Sequence, residues 1–183
     1  ADILAHNKKE PFDVSEMKAL SLERDNAITF KANKPIHMRV KDGKWGLFFN
    51  GTQSLTSNVT LPTNYRYNSP YTISAWVLST KVGPISTVTS LSSSRADLAN
   101  TEFRLGTDPS TGLMNHNGSF ESSGAQKDIA AGEGKWQFWT ITFDGWMEKV
   151  YLNGKLLKEK NNFLMIRPEG RITIGADAAG TNN

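Results

Sequence analysis

The side chains in this sequence best suited to meet a ligand are aromatic rings that alternation turns away from the apolar faces of their strands. In Tyr71-Thr72-Ile73-Ser74-Ala75-Trp76-Val77-Leu78, residues Tyr71, Ile73, Ala75 and Val77 share one face and Trp76 lies on the other. In Trp136 to Phe143, Trp139, Ile141 and Phe143 point one way and Phe138 the other. On the next strand Val150 and Leu152 face in and Tyr151 faces out, and Trp146 stands beside the Asp144-Gly145 turn. Such rings offer a broad apolar surface, which stacks on the apolar face of a sugar pyranose. Arg104 and His116 (the latter between Asn115 and Asn117) add hydrogen-bonding groups for hydroxyls or carboxylates. Trp76, Arg104, His116, Phe138, Trp146 and Tyr151 are therefore the candidate ligand-binding residues. The competing reading is that loops cover this second face and bury Trp76.

Other chemistries are poorly represented. Cysteine is absent, which excludes thiolate catalysis, a disulfide framework and Cys-based zinc sites. His6, His37 and His116 lie far apart, and His37 sits on a strand opposite its apolar face, where a surface histidine is expected. No G-x-S-x-G nucleophile elbow is present. The net charge of +3 is mild. Its densest clusters are Lys8-Lys9 and Lys155 to Lys160, the second interrupted by Leu156, Leu157 and Glu159, which reads as a solvated edge-strand face and not as a nucleic-acid patch. No apolar run approaches the roughly 18 residues needed to cross a bilayer, so no membrane insertion is expected. The start Ala1-Asp2-Ile3 has no signal-peptide character, so any targeting segment is outside this sequence. The sequons at Asn50, Asn58 and Asn117 are no more than chance provides in a chain so rich in Asn, Ser and Thr.

The elements that must position these residues are short strands. Ile36-His37-Met38-Arg39-Val40 alternates, Asp42-Gly43 turns the chain, and Trp45 to Phe49 returns to Asn50-Gly51. Residues 52 to 70 read as a long loop with one short strand. After the 71–78 strand comes a β-branched run at 85–91, a short strand at Phe103-Arg104-Leu105, and a strong turn at Asp108 to Gly112. Leu113 to Phe120 reads as a returning strand and 121–135 as a loop. Trp136 to Lys158 is a three-strand meander turned by Asp144-Gly145 and Asn153-Gly154, and Arg171 to Gly175 is a final strand. Residues 1–25 read as irregular, with Met17, Leu20 and Leu22 suggesting at most one helical turn. Hydrophobic residues make up 38% of 183 residues, enough for one domain because the aromatics, at 10%, bury large areas. Many short strands with frequent turns predict a sandwich or jelly roll.

Three segments carry a family resemblance. Gly46-Leu47-Phe48-Phe49-Asn50-Gly51 resembles an "aliphatic-x-F-x-G" strand and turn, Tyr71 to Val77 resembles "F-T-I-S-A-W-V", and Trp136 to Gly154 followed by Ile174-Gly175 resembles "W…(Y/F)-D-G…(L/V)-Y-(V/L)-N-G…I-G". Together, over residues 45 to 175, they resemble the laminin-G-like jelly-roll domains of the concanavalin-A-like lectin/glucanase superfamily. The resemblance implies an all-β, two-sheet antiparallel sandwich spanning 1–183 as a single domain. Family members usually add a strand after "I-G" that lies beside the N-terminal one, and here the chain stops at Asn183, so that closing strand is expected to be missing.

The fold also hosts glucanases, which place two carboxylates about a glycosidic bond, roughly 5–5.5 Å apart when retaining. On a strand that takes the form E-x-D-x-E, since alternate residues share a face. No such triplet occurs: Asp144 and Glu148 are separated by a turn and Glu121 stands alone, so no catalytic residue is expected. Calcium is common in the superfamily and takes loop oxygens. Asp97, Asp108, Asp144 and Asp177 are donors without a D-x-D-x-D run, which leaves calcium open as a cofactor and its ligands unassigned. The expected function is a non-catalytic binding module, carbohydrate recognition first, in a larger secreted or cell-surface, bacterial protein, the module itself monomeric. The alternatives are a protein-interaction or spacer domain and, behind it, a glucanase-type hydrolase.

Overall fold

Two-residue turns set the frame. Asp42-Gly43 and Asn153-Gly154 both place each residue at positive φ (53° and 74°, 51° and 81°), the geometry whose twist matches that of a tight hairpin. The computed structural model describes residues 12–19, 28–65, 68–78, 86–92, 102–105, 134–161 and 170–176. Among these every regular element is a strand: β1 (Phe12–Ala19), β2 (Ile28–Lys41), β3 (Lys44–Phe48), β4 (Leu55–Thr60), β5 (Tyr71–Leu78), β6 (Ser86–Ser92), β7 (Glu102–Leu105), β8 (Trp136–Phe143), β9 (Met147–Leu152), β10 (Lys155–Asn161) and β11 (Arg171–Ile174). No described helix is long and apolar enough to cross a membrane.

The strands form two antiparallel sheets. The larger runs β1-β2-β4-β11-β6-β7, with β3 also paired to β2, and the smaller runs β10-β9-β8-β5. The two pack face to face. Trp139, Ile141 and Phe143 of β8 and Val150 of β9 meet Leu61 and Leu91 from the other side, with Ile73, Val77 and Leu152 against them. Burying each such large side chain is worth about 1.5–3 kcal/mol, so the period-2 pattern of β8 is itself a major stabilising feature. A second cluster, Phe30, Ile36 and Leu55, lies on the larger sheet. Two buried hydroxyls there have partners: Ser57 Oγ donates to Val59 O (2.7 Å) and accepts from Ile172 N (3.1 Å), and Thr89 Oγ1 donates to Thr173 O (2.8 Å), whereas the buried Ser90 Oγ has none among the described residues.

Two expectations need correction. The N-terminal segment is not irregular or helical over 12–19; it is strand β1. Its register jumps from Val14↔Ile36 to Glu16↔Lys31, so β2 carries extra residues around Pro35. The jump flips which parity faces in: Val14 is 4% exposed, while beyond the jump Met17 and Ala19 join the second cluster. An alternation that changes phase halfway shows no period in the sequence. The Lys155–Lys160 run is also not wholly solvated. A register shift between Leu156 and Lys158 sets Lys158 opposite Val150, on the core side, and burial there lowers its ammonium pKa to about 8.

The β2–β3 hairpin belongs to the larger sheet yet is tied to the smaller one. Trp136 Nε1 donates to Lys41 O (2.9 Å), and the Trp136 ring lies against Gly46, so closely that a Cβ there would sit 2.9 Å from Cη2. This tie decides what surrounds one end of β5. The expected strand at 113–120 and the segment 177–183 after β11 lie outside the described residues.

Candidate ligand-binding face

The outward face of the smaller sheet follows from its register. One row is Trp76 opposite Phe138; the next is Ser74, Thr140, Tyr151 and Leu156; the next is Thr72, Thr142, Lys149 and Glu159. Alternation puts the core residues on the other side and leaves this side in water. Trp76 is 53% exposed, and its ring centroid lies 5.1 Å from that of Phe138 at an interplanar angle of 37°. The expected alternative, burial of Trp76 under loops, is not what the fold does. Phe138 and Tyr151 are part-exposed, and Leu156 is 43% exposed. The strip from Trp76 to Leu156 crosses three strand spacings, about 14 Å, long enough for a short oligomer rather than a single ring.

Polar groups flank the strip. Ser74 Oγ and Thr140 Oγ1 share a hydrogen bond (3.1 Å), and the Tyr151 hydroxyl has no partner among the described residues. Lys149 pairs with Glu159 (3.7 Å). Lys44, from the β2–β3 hairpin, holds its Nζ 5.3 Å from the Trp76 ring centroid, a cation–π contact. Lys44, Leu156 and the Ser74–Thr140 pair were not candidates from sequence. Only Leu156 had a signal, as an apolar residue after the Asn153-Gly154 turn. Lys44 arrives from the other sheet, so no local pattern announces it.

The remaining candidates fall elsewhere. Trp146 is 63% exposed, but it lies beyond Phe143, at the opposite end of β8 from Phe138 and roughly 17 Å along the strand. Arg104 lies in β7 of the larger sheet, opposite Thr87. His116 lies outside the described residues, as do Glu121, Asp97, Asp108 and Asp177. The structure thus brings together Trp76, Phe138 and Tyr151, and sets Trp146 and Arg104 apart from them. His37 pairs with Asp13 across β1 and β2 on the sheet surface, as a surface histidine should.

Asp144 and Glu148 do not form a hydrolytic pair. The Asp144 carboxylate is exposed and accepts N–H bonds from Met147 (2.7 Å) and Trp146 (2.9 Å), which hold its pKa below the usual range. Glu148 is 0% exposed and faces the core, where it accepts the Tyr71 hydroxyl (3.0 Å). Burial and then the charge of Glu148 push the Tyr71 hydroxyl pKa well up, and burial alone raises that of Tyr65 to about 12. No glycosidic bond can lie between a solvent-side Asp144 and a core-side Glu148. Among the described residues no three side chains cluster to hold a metal ion, and Asp144 Oδ1 already serves two N–H donors. A cleft of about 440 Å³ opens between the sheets beside β5, lined by Leu61, Tyr65, Tyr71, Ile73, Leu91 and Ile172 among others; its walls are largely apolar.

The chain belongs to the concanavalin A-like lectin/glucanases superfamily: the laminin-G-type family model matches residues 49–183. No curated protein matches the chain in sequence. Among solved structures it is similar to domain 4 of AbnA, a GH43 extracellular arabinanase from Geobacillus stearothermophilus in complex with arabinotriose, with a TM-score of 0.57 and 14% identity over 77% of this chain and 66% of that one. The chain therefore spans about two thirds of that domain. Weaker similarities are to the binding domain of Paraclostridial Mosquitocidal Protein 1 (TM-score 0.45, 13% identity, 98% of this chain and 42% of that one) and to a Bacillus licheniformis β-glucanase (TM-score 0.39, 13% identity, 92% and 84%).

Proposed function

We propose that this is a non-catalytic carbohydrate-recognition module of a larger secreted or cell-surface protein, and that it binds glycans on the outward face of the smaller sheet. The observation that carries the reading is Trp76, an indole half open to water on a regular sheet face and set against Phe138. With Phe138, Tyr151 and Leu156 it makes a contiguous exposed apolar strip rimmed by polar residues, the kind of surface that marks a binding site. Tyr151, Ser74 and Thr140 supply the hydroxyls that orient a sugar, and Leu156 closes the strip. The similarity of fold to an arabinanase domain solved with arabinotriose supports the reading. The outward Asp144 and core-side Glu148 support the absence of hydrolysis.

The test is affinity electrophoresis through gels carrying plant, host and microbial polysaccharides. At least one glycan should retard the protein, and Trp76→Ala should weaken that binding about tenfold, equivalent to about 1.4 kcal/mol. Because Trp76 is already half exposed, its removal should leave the melting temperature nearly unchanged. Absence of retardation on every glycan, or retardation indifferent to Trp76→Ala, would overturn the proposal and favour a protein partner.

A further inference from the structure

Lys44 gives the face a chemical preference. Among the described residues two other cations beside this strip have acidic partners: Lys149 faces Glu159 (3.7 Å), and Lys41 faces Asp42 (3.6 Å). Among the described residues the Lys44 ammonium has no carboxylate beside it and lies over the Trp76 ring. Lys135 and Lys155, both exposed, add positive charge at the same end of the sheet. Among the described residues the acids do not compensate. Asp144 is at the far end and tied to backbone N–H groups, Glu148 faces the core, and Glu159 and Asp42 are each beside a lysine.

A neutral sugar that stacks on Trp76 must push the Lys44 ammonium off the ring and gives it nothing in return. A sugar bearing a carboxylate replaces an exposed cation–π contact with a charge-assisted hydrogen bond, which is the stronger of the two. Lysine suits this role as a compact charge on a flexible stem, able to leave the ring and follow the ligand. The hairpin that carries Lys44 is held in place by Trp136, through its hydrogen bond to Lys41 O (2.9 Å) and its packing on Gly46. The cation is thus delivered from the larger sheet to the smaller sheet's stacking pad. We propose that the module selects acidic glycans, with Lys44 reading the carboxylate of a uronic-acid unit stacked on Trp76 and Phe138. This rests on the glycan-binding reading above.

The experiment compares matched β-linked oligomers that differ by a C6 carboxylate: mannuronate oligomers with manno-oligosaccharides, and cellouronate oligomers with cello-oligosaccharides. The acidic member of at least one pair should bind about tenfold more tightly at low salt, and the preference should shrink as added salt screens the exposed charge. Lys44→Met keeps the apolar stem and should bring acidic and neutral affinities within about threefold, with neutral binding unchanged or improved. Lys155→Met, which removes an equal charge away from the ring, should keep most of the preference. Equal binding of acidic and neutral members by the native protein, or a preference that survives Lys44→Met, overturns the selectivity and leaves glycan binding standing. Failure of both members of every pair to bind overturns both readings. Unchanged melting temperatures of the two variants show that the comparison reports on binding.

Discussion

Gly46→Ala should destabilise the protein although it sits in a strand where alanine is ordinarily the better residue. The φ of Gly46 is not among the positive values, so the backbone imposes no strain on a side chain. On that basis alone the substitution would stabilise by about 0.4–1 kcal/mol, because the unfolded chain loses freedom. The packing reverses the sign. The new Cβ would lie 2.9 Å from Cη2 of Trp136, closer than such atoms approach, and that atom belongs to a rigid indole held by its Nε1 bond to Lys41 O. Forcing one methyl into such a contact costs about 1–3 kcal/mol. The net expectation is a loss of about 1–2 kcal/mol, or a fall of roughly 2–8 °C in melting temperature for a chain of this size. Urea unfolding followed by tryptophan fluorescence measures it, with an unchanged m-value showing that the midpoint shift is a stability change. In a Trp136→Leu background the clash is gone and Gly46→Ala should become neutral or stabilising, giving a coupling energy of at least about 1 kcal/mol. A neutral or stabilising Gly46→Ala with Trp136 intact would refute the argument. So would the same cost in both backgrounds.

Three further expectations follow from the same kind of reading. Gly175→Ala should cost several times more than Gly154→Ala: both glycines have φ near 80°, worth about 1–2 kcal/mol of strain, but a Cβ at 175 runs into the Phe49 ring while one at 154 meets open space. Parallel denaturation curves decide this, and equal costs would show that Phe49 yields freely. Stability should rise between pH 8 and about 10, because burial holds Lys158 near 8 while the unfolded lysine titrates near 10.5, so the unfolded chain binds more protons there. Part-exposure reduces the size of that rise to about 1–2 kcal/mol. Above pH 10 stability should fall, since the unfolded tyrosines ionise while Tyr65 and Tyr71 stay protonated. Melting temperature against pH should show the maximum, and Lys158→Met should remove the rising limb. Glu148→Ala should cost about 3–5 kcal/mol by stripping a core carboxylate from the Tyr71 hydroxyl and from the charge of Lys158. It should do so without altering glycan binding, and a large loss of binding by a folded Glu148 variant would contradict its placement on the core side.

Much of the fold was legible because its signals are local. Asp42-Gly43 and Asn153-Gly154 need positive φ whatever surrounds them, and a strand such as Trp136–Phe143 shows its buried face in its own alternation. The same alternation placed Trp76, Phe138 and Tyr151 on one face before any pairing was known. β1 escaped notice because its register jump divides the alternation into two short phases, each too brief to show a period. Lys158 was misplaced for a related reason: a bulge on β10 turns a residue of a basic run toward the core, and composition does not encode bulges.

Sequence by itself determined that this chain is built of strands, where its tightest turns fall, and which rings avoid the core, because each depends on neighbours within a few residues. Tertiary structure alone decided which of the candidate binding residues share a site. It placed Arg104 in the other sheet and Trp146 at the far end of β8, and it brought Lys44 across from the larger sheet to the ring of Trp76. Those placements depend on how two sheets are joined and stacked, and the groups that meet there are separated by tens of residues with no pattern between them to record the contact.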